Sequence, residues 1–152
     1  MAMQIGKSFS IIGISVRTTN ENGKSGKDIL ELWTRFISED ISKQILNKVN
    51  DTIYCVYTDY EKDHTKPYTA ILACEVSNLN FIPNGMIGRR IGEGKYEKHI
   101  AKGNVTMGAV FDEWLKIWAL PISRAYTVDF EVYDVRAQNP EDAEVDIFIA
   151  TK

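Results

Sequence analysis

Apolar and polar positions alternate through TVDFEVYD, Thr127 to Asp134. Val128, Phe130 and Val132 fall on one side; Asp129, Glu131 and Tyr133 fall on the other, because side chains of a strand point alternately to its two faces. FSIIGISVR, Phe9 to Arg17, is dense in Ile and Val and predicts another strand. TIYCVYTDYE and YTAILACEV flank the proline-containing turn KDHTKP and predict a β-hairpin. A register centred on that turn sets Cys55 opposite Cys74. TVDFEVYDV and EVDIFIATK flank RAQNPEDA in the same way. The helical period appears twice. Ile29, Leu32, Trp33, Phe36 and Ile37 predict a helix over Asp28 to Ser38, with a further turn through Ile41, Ile45 and Leu46. Asn104 is a candidate N-cap for a helix through Val110, Phe111, Trp114, Leu115 and Trp118, which Leu120-Pro121 ends. Gly85 to Gly103 is strand-like with glycine interruptions, which predict bends or bulges.

The two halves overlay. LELWTRF resembles DEWLKIW, and YCVYTDYE resembles FEVYD; Val56 maps to Val132 and Ile71 to Ile147, both at an offset of 76 positions. This predicts an internal duplication, with one module over about 9–76 and a second over about 85–150 of a single 1–152 domain. In that frame Glu131 and Tyr133 correspond to Cys55 and Tyr57. A pseudo-twofold would bring the four together. Tyr54, Val56, Phe130 and Val132 are expected to pack under the helices, leaving the opposite face as a groove with tyrosines on both sides and one carboxylate.

Composition narrows the function. The 152 residues can bury most of their apolar surface in one core. The net charge of −3 argues against a general nucleic-acid surface, which is usually basic. No apolar run approaches a membrane span, and MAMQIGKSFSIIGISV lacks the parts of a signal peptide, so a cytoplasmic protein is expected. Two cysteines are too few for a disulfide framework and read as free thiols. His64 and His99 lie in unlike contexts, with no metal-ligand spacing and no triad, and IGEGK lacks the spacing of a phosphate loop. No metal or cofactor is expected.

Four stretches, IYCVYTDYEKD with YTAILACEV, IPNGMIGRRIGEGKYEKHIAKG, EWLKIWALPIS and DFEVYD, resemble in order and spacing the GyrI-like effector-binding domain family. These are the ligand domains of some AraC-type and MerR-type transcription regulators, and they also occur alone as integron-associated effector-binding proteins. The resemblance runs over roughly Phe9 to Ala150. It implies an α+β fold: duplicated strand-helix-strand-strand modules related by a pseudo-twofold, an antiparallel sheet with helices on one face, and a ligand groove between modules. It also implies binding of lipophilic, frequently cationic aromatic compounds, as in multidrug binding, with Glu131 as the groove carboxylate. Some relatives resemble hydrolases of strained electrophiles, in which Glu131 would activate water; others resemble topoisomerase inhibitors. No helix-turn-helix is evident beside the domain, so direct DNA contact is not expected of this chain; a small-molecule ligand is expected, with a regulator or other protein partner left open.

Each candidate has a plainer reading. Glu131 could be a solvated strand carboxylate, and Tyr57 and Tyr133 cross-strand packing. Cys55 would lie beside them as a small groove or core residue. Tyr96, in GKYEKH, would be a groove-edge aromatic or a packing residue. Trp33 and Trp114 read as core. Trp118, in the last helical turn, could lean over the groove. The expected function is binding of a small aromatic or amphipathic molecule, cations included, by Glu131, Tyr133, Tyr57, Cys55, Tyr96 and Trp118, with hydrolysis or protein interaction as the alternatives and no catalytic residue assigned.

Overall fold

The computed structural model describes residues 3–152. Strand β1 is Met3–Gly6 and β2 Phe9–Thr18; helices α1 (Lys24–Ser38) and α2 (Ile41–Gln44) follow, then the hairpin of β3 (Lys48–Thr58) and β4 (Tyr68–Val76). The chain continues through β5 (Ile87–Ile91), β6 (Gly94–Gly103), α3 (Ala109–Ala119), β7 (Arg124–Tyr133) and β8 (Ala143–Thr151). All paired strands are antiparallel in one 8-stranded sheet of order β1-β6-β8-β7-β3-β4-β2-β5. The order reads the same from either end once halves are exchanged: β3 with β7, β4 with β8, β2 with β6, β5 with β1. The fold is thus the duplicated α+β architecture, with its pseudo-twofold at the β3–β7 pair. There Cys55 faces Glu131, the same two positions that the offset of 76 makes equivalent.

The hairpins do not repeat as evenly. Val56 pairs with Ile71, but Val132 pairs with Asp146, so the equivalent of Ile71 is Asp146 and not Ile147. Fourteen residues lie between Val56 and Ile71 but thirteen between Val132 and Asp146, which sets the return strands one position apart. Cys55 lies opposite Leu72, two residues from the expected Cys74. Asn104 caps a short 3-10 turn, Val105–Met107, by accepting from Thr106 N–H; α3 begins after Gly108, in the left-handed region at φ 92°. Gly92 and Glu93 split Gly85–Gly103 into two strands in opposite halves of the sheet, β5 at one edge and β6 next to the other edge.

Helices α1 and α3 lie on the face carrying Cys55, Tyr57, Glu131 and Tyr133. Leu32 and Phe36 of α1 and Trp114 and Ile117 of α3 are buried there with Ile12, Leu72 and Ile147. Burial of such side chains contributes about 1.5–3 kcal/mol each. This reverses the expected assignment: Val56, Phe130 and their neighbours do not pack under the helices. They occupy the opposite face with Ile11, Ile71, Tyr96 and Ala150. That face is covered by the sheet's own curl. Phe9 on β2 reaches Phe130 on β7 with ring centroids 5.5 Å apart, although two strands separate them. In a flat sheet three spacings would span roughly 14 Å. Both faces are therefore apolar, each for a different reason.

Candidate functional site

A cavity of about 690 Å³ opens between α1 and α3 over the β3–β7 seam, within the usual range for small-molecule sites. Its floor comes from strand alternation: Tyr57 on β3 and Glu131 and Tyr133 on β7 point to the helix side. Its walls come from helical period. Ile29 and Trp33 recur on one face of α1, and Val110, Trp114 and Trp118 on one face of α3.

Glu131 is 2% exposed and held by three donors. Tyr57 O–H and Trp114 Nε1–H both donate to Oε2 at 2.7 Å, and Tyr133 O–H donates to Oε1 at 2.6 Å. The donors are themselves cavity walls. Trp114 packs edge-on to Tyr57 at 5.6 Å, and Trp33 edge-on to Tyr133 at 4.8 Å, so each module's helix braces the other module's tyrosine. Burial pushes the Glu131 carboxyl above its ordinary value, opposed by the three hydrogen bonds that favour the anion. The same burial, with Glu131 nearby, drives the Tyr57 and Tyr133 hydroxyls well up, so both remain protonated donors.

The cavity's other side carries a second polar group. Arg124 is an ion-pair partner of Asp129 at 2.8 Å, and Asp129 also accepts from Tyr60 O–H at 2.5 Å and Ala150 N–H at 2.9 Å. Over the mouth, His64 stacks on Trp118 at 5.5 Å, and its Nδ1 lies 3.2 Å from Tyr126 Oη. Asn20 donates to the His64 carbonyl at 2.8 Å and accepts from Tyr68 O–H at 2.6 Å. Burial and the nearby Arg124 charge lower the His64 pKa.

Four of the six sequence candidates thus line one cavity: Glu131, Tyr133, Tyr57 and Trp118. Two do not. Cys55 is fully buried beside Glu131, outside the lining, where burial and that carboxyl raise its thiol well above the usual range. Tyr96 is on the opposite face, packed edge-on to Phe130 at 5.4 Å, because even-numbered positions of β6 point away from the helices while His99 and Ala101 point toward them. Trp33 and Trp114 are walls rather than plain core. The sequence gives no separate signal for that, since an inward helix face reads alike over a filled core or a cavity. Arg124 had a signal: Asp129 and Glu131 share one strand face, and two buried carboxylates call for a cation nearby. His64 and Tyr60 reach the site from the connection between β3 and β4, and Tyr126 from β7, where its positive φ of 54° falls in the interrupted part of the β7–β8 register. Among the described residues no group of His, Cys, Asp and Glu gathers as a metal site, and no helix is long and apolar enough to cross a membrane.

The duplicated sheet, the two helices and the aromatic cavity between them define an effector-binding domain. The match of residues 6–151 to the model of the integron-associated effector binding protein settles the group: the chain belongs to this GyrI-like effector-binding family. It is similar to an integron cassette protein from the mobile metagenome of Vibrio cholerae, at 30% identity and TM-score 0.75, with 99% of this chain and 95% of that one covered. It is also similar to YobU of Bacillus subtilis (strain 168), named as a candidate transcriptional regulator, at 26% identity over 144 residues, 92% of this chain and 90% of that protein. The structure of SAV2435 bound to tetraphenylphosphonium shares the fold at 19% identity and TM-score 0.80, covering 99% of this chain and 93% of that one.

Proposed function

We propose that this protein binds lipophilic aromatic cations in the cavity between α1 and α3, with Glu131 as the charge anchor. One observation carries the reading: a buried carboxyl at the base of an aromatic cavity, with all three of its hydrogen bonds supplied by cavity-wall side chains. Neutral donors hold the charge without cancelling it. Arg124, the guanidinium on the cavity wall, is engaged by Asp129. An entering cation therefore meets an uncompensated negative charge in a low-dielectric site, and ring faces add about 0.5–2 kcal/mol of cation–π attraction. The relative solved with tetraphenylphosphonium supports the ligand class by analogy of fold. Trp33, Trp114 and Trp118 make binding readable by fluorescence. Titration with tetraphenylphosphonium is expected to saturate, and Glu131→Gln to weaken it at least about tenfold. The neutral triphenylphosphine oxide should bind both forms alike. Equal cation affinity in wild type and Glu131→Gln would remove the anchor.

A further inference from the structure

We propose that Arg124 forms a second, electropositive pole of the cavity and that the natural ligand is amphoteric, presenting an anionic or strongly accepting group opposite its cationic end. This deepens the reading of Glu131 as anchor and rests on it.

The Arg124 side chain is 5% exposed and forms part of the cavity wall. A guanidinium carries five N–H donors. Nη2 donates to Asp129, while Nε and Nη1 are buried with no hydrogen-bond partner among the described residues. Asp129 is not correspondingly short, having Arg124, Tyr60 O–H and the Ala150 N–H. The pair is lopsided: the carboxylate has three donors, and the guanidinium one acceptor. Buried donors left without acceptors are rare and call for a cause. The rings of Tyr126 and Trp114, 4.4 and 5.8 Å from Cζ, lie over the guanidinium and supply only a non-directional substitute. A ligand carboxylate or carbonyl would supply the missing acceptor.

The poles are spaced for one small molecule. Trp114 stands between them, with its N–H on Glu131 and Arg124 over its ring. Asp129 and Glu131 are two residues apart on one strand face, roughly 7 Å. A ligand acceptor reaching Nε or Nη1 would displace the Tyr126 ring that lies over the guanidinium. The β7–β8 register is interrupted between Arg124 and Asp129, so that movement breaks no ladder pairing there.

Two compounds test this at neutral pH on the full chain: pentyltriphenylphosphonium and (4-carboxybutyl)triphenylphosphonium, which differ by a carboxylate in place of a terminal methyl. With Glu131 alone, the added anion would weaken binding through repulsion and desolvation. With the second pole, the carboxylate compound is expected to bind wild type about tenfold tighter. The paired change Arg124→Met with Asp129→Asn should abolish that preference, read as the ratio of the two compounds' affinities within the same variant. Should that variant not fold, Arg124→Lys, which loses the planar fork, should lower the preference instead. Equal or weaker binding of the carboxylate compound by wild type overturns the second pole. Loss of pentyl-compound binding in Glu131→Gln reports on the anchor separately, so an anchor that holds without any carboxylate preference overturns this proposal alone.

Discussion

Glu131 links structure to pH in a direction opposite to that of most carboxylates. Its folded pKa is raised above the ordinary 4.5, chiefly by burial. Between 4.5 and that raised value the folded state holds a proton that the unfolded chain has released. Ionising Glu131 therefore costs stability as pH rises through this window, and the cost is constant above it. Asp59 and Asp134 run the other way. Arg89 and Arg136, respectively, lower their pKa values below the ordinary 3.8, so their contribution is present above 3.8 and fades as pH falls through the folded value. With Glu131 as the proposed charge anchor, cation binding would require its anion. Affinity for tetraphenylphosphonium is thus expected to be flat above the raised Glu131 value and to fall as pH drops below it, by up to tenfold per pH unit. Glu131→Gln should show no such fall. A wild-type profile that stays flat down to pH 4.5 would mean that Glu131 is not the titrating anchor.

At the scale of elements, strand β2 depends on Gly13. A Cβ there would lie 1.9 Å from the Leu72 carbonyl oxygen and 2.6 Å from Ala73 Cα, both backbone atoms of the neighbouring β4. No rotamer change can relieve that clash. Gly13→Ala is expected to cost about 3 kcal/mol or more, lowering Tm by roughly 6 °C or more; a change below about 2 °C on thermal circular dichroism would show that β2 can move away from β4. Elements of this kind are also where the sequence was most readable. Period-two alternation located β3, β4, β7 and β8, and the helical period located α1 and α3. Alternation likewise put Tyr57, Glu131 and Tyr133 on one face together. It could not say which face the helices cover. Tyr54, Val56, Phe130 and Val132 are as apolar as the residues behind them, because the curled sheet buries one side and the helices the other. Tyr96 was misplaced for a related reason: its neighbourhood has many glycines and charges, and alternation fixes no face without knowledge of which side is outward. Cross-strand registers were out by one or two residues, since they depend on the conformations of the loops joining the strands.

For the whole molecule, the question is whether two related halves behave as two folding units. The contacts say one. Six consecutive positions, Ile53 to Thr58, pair with Val128 to Tyr133 across the pseudo-twofold. The tryptophans of each module are lodged against the other: Trp33 against Tyr133, Trp114 against Tyr57 and Glu131. Removing the second half would expose the inner edge of β3 and strip one wall and most of the floor from the cavity. It would also leave Phe9 and Tyr54 without Phe130, which they approach at 5.5 and 6.2 Å. Neither half retains a closed core on either face. Urea unfolding should therefore be a single transition, with tryptophan fluorescence and far-ultraviolet circular dichroism coincident. A fragment of residues 1–84 should lack cooperative unfolding and bind no cation. Because a ligand in the proposed site would contact both halves at their seam, saturating tetraphenylphosphonium at about 100 times its Kd should add roughly 2.7 kcal/mol to that single transition. Two separable transitions, or stabilisation confined to one probe, would show that the modules fold independently and that the cavity forms only when they dock.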